Sequence, residues 1–546
     1  MTSAVPNLQT AEAFGLDPFR EDVARNMRDL FGPLDDLLRS GGDQRLALDP
    51  VSRRNVYGCG VRPAPEIWNF SSSTASPISE RAYARAGCAR EELMRSAIEI
   101  GLDAAYEVRM EEIRVRLKEL LRLPAREVEV VFAPSGTDAQ LQALFVARAR
   151  LGASVTTIVV GSDQTGSGTA YTARGRHFSA ITATGRAVRK DAPIAGLSCE
   201  SIALPLIDGA GQSKPRADAD LAVLEAIEAA TARGAGVLLQ VMDSSKLGWR
   251  APSEACLAEV GRRWPDKVQV VVDACQMRLG RGRIKTYLDR GYLVLITGSK
   301  YFSGPAFSGA VLLPTAASRS LAHAPKVVPG LLDYTSRSNW PRSFTALRSR
   351  LEGRNNLGLW LRWEAALDEM AAYYSIPNGF RAGAMNELKA GIESLIMLSP
   401  VLEGLDRPTE TTTLDDEEFA GPTIFPFVVK GKNGVVAPEQ CRWLYRALAR
   451  DMGEVIGGSA ADCEIGARHC LLGQPVEFAM PGERPFAVLR LCIGARLITE
   501  AWSPDRGTAA RNIVRTVDRL ADVVGKIELL LAHTDRTGLA ELSYGV

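Results

Sequence analysis

The sequence predicts an α/β fold: a large, mostly parallel sheet with helices on both faces, followed by a smaller α+β domain at the C-terminus. Short, almost wholly apolar runs alternate along the chain with stretches whose apolar residues recur at helical spacing. Repeated alternation of strands and helices is typical of a doubly wound sheet. At 546 residues the chain is also too long for one average core, which predicts two or three domains.

The domain boundaries follow changes in this pattern. Residues 1–95 have mixed character and predict an arm that shapes a pocket mouth. Residues 96–345 carry the alternation and predict the large domain. The pattern loosens after Pro314, so we expect a small C-terminal domain at 346–546.

Composition excludes several classes of function. The formal net charge is +1, with 46% hydrophobic and 24% charged residues, so neither nucleic acid nor an anionic membrane is an expected partner. The first thirty residues lack the apolar stretch of a signal peptide, and we expect a cytoplasmic enzyme. The nine cysteines are scattered without a Cys-x-x-Cys pair, and only four histidines are present, so no metal site is expected.

In the N-terminal segment, the pattern predicts a helix from Pro18 to Leu38. The Ser/Thr cluster from Asn69 to Thr74 is typical of a solvated turn, with a substrate loop as the alternative. Helical spacing from Arg90 to Leu121 predicts one long or broken helix packed on the sheet.

The first predicted strand leads into an anion-binding turn. Glu127–Phe132 reads as a strand, and a helix follows from Ala139 to Arg150. Between them, Ser135 and Thr137 can donate to phosphate oxygens, and Gly136 lets the backbone approach closely. An ordinary helix N-cap is the alternative interpretation.

The following elements continue the alternation. A glycine- and serine-rich loop at 161–168 follows the next strand; it lacks the spacing of a dinucleotide fingerprint and predicts a pocket loop. The remaining elements are predicted as strands Thr156–Val160 and Gly236–Met242 and helices Asp218–Arg233, Ser253–Arg263, Leu359–Tyr374 and Arg506–His533.

An acid and a lysine end two neighbouring predicted strands. Val268–Asp273 is one apolar run, and the next ends at Thr297 and leads to Lys300. Because ligands gather at the carboxyl ends of such strands, Asp273 and Lys300 are expected to face one crevice. Pyridoxal 5'-phosphate (PLP) would use both, through an imine with the lysine and a carboxylate at the pyridine nitrogen. A structural ion pair is the alternative.

Taken together, these positions resemble the class V aminotransferase and cysteine desulfurase group of fold-type I PLP-dependent enzymes, over roughly residues 95–525. Asp273-Ala-Cys-Gln276 and Thr297-Gly-Ser-Lys300 carry the resemblance best. It implies that Lys300 is the Schiff-base lysine and proton shuttle, that Asp273 pairs with the pyridine nitrogen, and that Gln276 touches the ring 3-oxygen. The phosphate contacts that it implies are Ser135, Gly136, Thr137, Thr297 and Ser299.

A second stretch resembles one desulfurase subgroup. Arg468-His469-Cys470, followed by Arg490, is similar to the segment that carries the persulfide cysteine and the arginine gripping the substrate carboxylate. The resemblance implies a catalytic Cys470 and substrate contacts from His469 and Arg490. A bidentate arginine suits a carboxylate well. A buried, inert Cys470 thiol is the alternative.

Two positions depart from the family pattern. Gln164 stands where the family has a histidine stacked on the cofactor; an amide can cover the ring but cannot donate the proton attributed to that histidine. Arg354 stands where the family presents Gly-Thr to the phosphate from a neighbouring subunit. The resemblance implies a homodimer, and Arg354 would then be a cofactor contact.

We therefore expect a PLP-dependent enzyme that transforms an amino acid or a related amine or carboxylate. Gln276 and the His469-Cys470 stretch favour desulfurase or C–S lyase-like β-elimination, whereas Gln164 favours transamination, and both stay open. A non-catalytic PLP-fold protein is a minor alternative, because no basic arm suggests a DNA-bound regulator. A nicotinamide-dependent oxidoreductase lacks its fingerprint. Substrate choice is expected to depend on residues 1–95 and 376–465.

Overall fold

The structure is a computed structural model that describes residues 28–208, 212–322, 326–405, 419–432, 434–478 and 485–533. The helix predicted from Pro18 to Leu38 lies partly outside these residues; its described part contains the short helix Leu34–Leu38. None of the described helices is long and apolar enough to cross a membrane.

The strands and helices are numbered in chain order. The strands are β1 Trp68–Phe70, β2 Val128–Ala133, β3 Val155–Val160, β4 Glu200–Leu204, β5 Gly236–Asp243, β6 Arg250–Ala251, β7 Val268–Asp273, β8 Leu293–Thr297, β9 Gly309–Pro314, β10 Leu402–Gly404, β11 Ile424–Gly431, β12 Gly434–Val435, β13 Cys470–Phe478 and β14 Phe486–Cys492. The helices are α1 Leu34–Leu38, α2 Glu80–Ile100, α3 Leu102–Leu120, α4 Gly136–Leu151, α5 Thr169–Thr172, α6 Arg216–Ala232, α7 Glu254–Arg263, α8 Arg281–Asp289, α9 Thr315–Ala322, α10 Thr345–Arg348, α11 Leu357–Ser375, α12 Asn378–Leu398, α13 Pro438–Leu448, α14 Gly453–Ile456, α15 Ala460–Ala467, α16 Ala495–Ala501 and α17 Arg506–Ala532.

The large sheet has the strand order β2-β9-β8-β7-β5-β3-β4, with β6 beside β5. Strands β8, β7, β5, β3 and β4 pair in parallel, and β9 runs antiparallel to both of its neighbours. The carboxyl ends of β3, β5, β7 and β8 therefore lie at one edge of the sheet.

Helices cover both faces of this sheet. Successive side chains of a strand point to opposite faces. In β7, Val270 and Val272 belong to the core that includes α2 and α3, whereas Val271 belongs to a second core that includes α4. This layering confirms the predicted α/β fold class.

The second sheet has the order β1-β13-β14-β11-β10, with β12 beside β11. Helix α13 packs on β13 and β14, and α12 packs on α17. Strand β1 comes from the segment predicted as an arm and pairs in parallel with β13, Trp68 opposite Cys470. Helix α2 runs through residue 95 without a break. The boundaries at residues 95 and 345 stay predictions.

The helix predicted from Arg90 to Leu121 is broken. Gly101 separates α2 from α3 with φ of 82°, a conformation that glycine adopts without a steric cost. Both helices pack on α11, which extends close to the bounds predicted for it.

Candidate active site

A cavity of about 200 Å³ lies at the carboxyl ends of β3, β5, β7 and β8 and at the N-terminus of α4. Side chains from the small sheet and from the N-terminal segment close its other side. Ten residues predicted from the sequence line it: Ser135, Gly136, Thr137, Gln164, Asp273, Gln276, Thr297, Ser299, Lys300 and Arg490.

The turn between β2 and α4 has the features of an anion cradle. Ser135 caps α4: its Oγ accepts from the Asp138 backbone N–H at 3.2 Å. A Cβ built on Gly136 would lie 2.6 Å from Cys275 Sγ, so only glycine lets this turn approach β7 so closely. The free N–H groups and positive dipole end of the 16-residue helix α4 favour an anion here.

A cation from the N-terminal segment completes this cradle. Arg45 Nη2 donates to Ser135 Oγ at 3.3 Å and forms an ion pair with Asp43 at 2.6 Å. Burial raises the pKa of nearby Asp138 to about 7, and Asp43 adds to this effect. Asp138 is therefore partly protonated near neutral pH and repels an anion less than a full charge would.

Asp273 and Lys300 face the same cavity without pairing directly. Asp273 accepts from the Cys275 backbone N–H at 3.1 Å and from Gln140 Nε2 at 3.5 Å. Burial lowers the pKa of Lys300, although Cys275 and Asp273 act in the opposite direction. Among the described residues Lys300 forms no ion pair, so the alternative of a closed Asp–Lys pair is not observed.

Two glutamines, Gln164 and Gln276, also line the cavity. Gln164 is fully buried; its Oε1 accepts from Ser245 Oγ, while its Nε2 has no partner within the part of the chain that the structure describes. Gln276 Nε2 donates to the Ser73 carbonyl at 3.0 Å. A buried donor without a partner is costly, and Gln164 lines the cavity, so an acceptor on a bound group would remove this cost.

Arg490 lies on β14, 2% exposed, and burial lowers its pKa. Its Nη1 donates to the Lys246 carbonyl at 3.2 Å, and its Nη2 donates to Thr74 Oγ1 at 3.2 Å and to the Gln474 carbonyl. Its Nε has no partner among the described residues. Arg490 thus joins the small sheet to the loop after β5 and lines the cavity, while its Nε lies against Gly473.

The hydroxyl cluster predicted as a solvated turn is buried, and that prediction is wrong. Ser71, Ser72 and Ser73 are 1%, 3% and 2% exposed. The segment lies between the two sheets, where the Ser73 carbonyl accepts from Gln276 and Thr74 accepts from Arg490. Ser73 and Thr74 line the cavity, as the alternative of a substrate loop would require.

Sequence reasoning missed two cations of the cavity, Arg45 and Lys246. Lys246 is partly buried, and burial together with Arg490 and Lys300 lowers its pKa to about 7. It follows β5, so the strand-end rule that singled out Lys300 would also have found it. Arg45 reaches the site only through tertiary packing, and no local signal marks it.

Three predicted residues lie outside the cavity. Arg354 pairs with Glu352 at 2.7 Å, and its side chain is 51% exposed. Cys470 is 1% exposed, and burial raises the pKa of its thiol to about 12, despite nearby Lys526. His469 precedes it, and burial lowers the pKa of its imidazole. The structure does not bring these three residues together with Lys300, and their predicted roles stay predictions.

No family model and no curated protein matches the sequence. Among solved structures, the fold is similar to a phosphoserine aminotransferase SerC from Cytophaga hutchinsonii, with 14% identity and a TM-score of 0.43 over 84% of this chain and 99% of that chain. It is also similar to the cystine C-S lyase C-DES in complex with cysteine persulfide, with 14% identity and a TM-score of 0.43 over 82% and 97%. A third is Oryza sativa TDC with PLP and tryptamine, with 14% identity and a TM-score of 0.45 over 95% and 90%.

Proposed function

We propose that this chain is a PLP-dependent enzyme that transforms an amino acid. One observation carries the proposal: the Ser135–Thr137 cradle, Asp273 and Lys300 line a single cavity. An anion cradle, an acid and an unpaired amine are what PLP requires of a protein. The close approach at Gly136 and the unpartnered Gln164 Nε2 support the fit, because each would face a group of the bound cofactor.

The cavity residues differ in the part of the cofactor or substrate that each would contact. Ser135, Gly136, Thr137 and the N-terminus of α4 hold the phosphate, with Arg45 beside them. Asp273, oriented by the Cys275 N–H and by Gln140, would pair with the protonated ring nitrogen. PLP, when bound, supplies an electron sink for negative charge at the substrate α-carbon.

Lys300 acts as the amine that holds PLP and then as the base that moves a proton at the substrate α-carbon. Its lowered pKa keeps a larger share of the amine neutral near pH 7, and only the neutral amine is a nucleophile or a base. Gln164 covers the cavity after β3, and Arg490, which lines the cavity, would bind the substrate carboxylate through its guanidinium group.

The reaction type is proposed as β-elimination or transamination without a protein-bound persulfide. Cys470 lies away from the cavity with a raised pKa, so its thiol does not support a sulfur-accepting step. In both reactions Lys300 moves protons at the substrate, and the products distinguish them.

The test uses purified protein saturated with PLP. Its absorbance is recorded before and after a panel of amino acids is added, with keto acid, sulfide and ammonia assayed in the same samples. Keto acid that leaves the cofactor aminated means transamination; ammonia or sulfide with the cofactor spectrum restored means elimination. A protein that does not bind PLP refutes the proposal, and one that binds it without turnover of any amino acid supports a non-catalytic role.

A further inference from the structure

The loop after β5 is a rigid support for Lys246. Ser245 Oγ accepts from the backbone N–H groups of Leu247 and Trp249, each at 3.1 Å, and donates to Gln164. The Lys246 carbonyl accepts from Arg490 at 3.2 Å. Ser244 holds a left-handed conformation, with φ of 70°, which is strained for a residue with a Cβ. The loop is therefore fixed at both sides of the lysine.

Two acids near this loop, Asp243 and Asp273, have partners other than Lys246. Asp243, fully buried, pairs with Arg250 at 3.0 Å and with Arg283 at 2.6 Å. Asp273 is turned to the Cys275 N–H and Gln140. Among the described residues Lys246 forms no ion pair, and the charges that act on it, Arg490 and Lys300, are both positive.

The proposed cofactor does not use this positive charge. The cradle and Arg45 would hold its phosphate, Asp273 would pair with its ring nitrogen, and Lys300 would bind the cofactor itself. Two cations, Lys246 and Arg490, then remain on the side of the cavity formed by β5 and the small sheet. A substrate with one carboxylate neutralises one of them.

We propose that Lys246 and Arg490 together bind a substrate with two acidic groups, an amino acid whose side chain carries a carboxylate or a similar anion. This inference rests on the proposed function and adds the substrate class to it. Lys246 pairs with one anion while Arg490 pairs with the other, so Lys246 determines specificity. The pKa of about 7 fits this role, because burial beside two cations disfavours the ammonium until an anion arrives.

The test measures the binding of dicarboxylates by titration calorimetry to PLP-loaded and to PLP-free protein. The probes are malonate, succinate and glutarate, each compared with its monoamide, which has nearly the same shape and one charge fewer. For at least one length, the wild type binds the diacid about tenfold more tightly than the monoamide. Lys246→Met abolishes this difference by weakening the diacid alone, and Lys246→Arg retains it. Lys285→Met, which removes an exposed lysine paired with Asp289, is the matched control and retains it too.

A pH series gives a second readout. The titratable and charged groups that line the cavity with Lys246 are Arg490 from β14, Lys300 after β8, Asp273 and Cys275 at the end of β7, and Arg45 and Tyr57 of the N-terminal segment. As pH rises through about 7, Lys246 loses its proton and wild-type affinity for the diacid falls, whereas in Lys246→Arg the fall over the same range is smaller, because only other groups such as Asp138 titrate there.

Equal binding of every diacid and its monoamide overturns the inference. An equal loss for both probes in Lys246→Met also overturns it and indicates a structural or proton-transfer role. PLP binding, followed by absorbance in the same samples, tests the proposed function separately. If the protein does not bind PLP but still prefers diacids, the anion site at Lys246 is supported and the proposed PLP-dependent function is refuted.

Discussion

Replacing Gly136 with alanine tests the anion cradle at its tightest point. The new Cβ would lie 2.6 Å from Cys275 Sγ, whereas its other near neighbours, Thr297 Cγ2 at 3.5 Å and Cys275 Cβ at 3.6 Å, are at ordinary contact distances. The clash therefore involves one atom. The Cys275 backbone is held in place, because its N–H donates to Asp273 and its carbonyl accepts from Thr297, and Sγ could move only by changing rotamer within a buried site.

The expected cost follows from these contacts. Overpacking a tight site costs about 1–3 kcal/mol. Gly136 is the first residue of α4, where alanine adds little of the stabilisation that it gives in the middle of a helix, so the net loss stays within this range. Because relief requires the turn to move, the phosphate loses its N–H donors, and we expect the Kd for PLP to rise about tenfold.

The assay combines urea unfolding of PLP-free protein with PLP titration followed by absorbance. Gly136→Ala lowers the unfolding midpoint and weakens PLP binding. Adding Cys275→Ala to it removes the clashing sulfur and restores both, relative to Cys275→Ala alone. The control is Gly261→Ala in α7, where nothing lies within 4 Å of the added Cβ. It lowers neither the unfolding midpoint nor the affinity for PLP. If Gly136→Ala binds PLP as tightly as the wild type, or if Cys275→Ala does not relieve its defect, a clash with Cys275 Sγ does not displace the anion-binding turn.

Three further predictions concern charged and sulfur-containing residues. Arg45→Ala raises the Kd for PLP about tenfold while Arg354→Ala does not; the reverse result would assign the phosphate contact to Arg354, as a homodimer would require. Arg490→Gln raises the KM for an amino acid more than that for the matching amine without a carboxylate, and equal changes would move the carboxylate contact elsewhere. Cys470→Ala keeps PLP binding and turnover, since its buried thiol has a raised pKa; a selective loss of sulfide release would restore its predicted role.

The strands of the large sheet were predictable because burial on both faces leaves a strong local signal. Val268–Asp273 has valine at four of its six positions and forms β7 with those bounds. The same signal located Asp273 and Lys300, since Asp273 ends β7 and Lys300 comes three residues after the end of β8. Lys246 obeys this rule as well, although its neighbours in sequence suggested no chemistry.

The contributions of the N-terminal segment were not predictable in this way. Strand β1 has three residues, too few for a periodic pattern, and its partner β13 is distant in sequence. The hydroxyl cluster reads as a turn because serine and threonine favour turns, yet long-range contacts with Gln276 and Arg490 bury it. Local patterns indicate where a chain turns and not what later packs against the turn.

The most direct test of the account asks which lysine binds PLP. The cavity contains two, Lys300 and Lys246, and both have a lowered pKa. The PLP-loaded protein is reduced with borohydride and digested, and the modified peptide is identified by mass spectrometry. We predict a phosphopyridoxyl group on Lys300, which is retained in Lys246→Met and lost in Lys300→Arg. Modification of Lys246 in the wild type, or of no lysine at all, would contradict it.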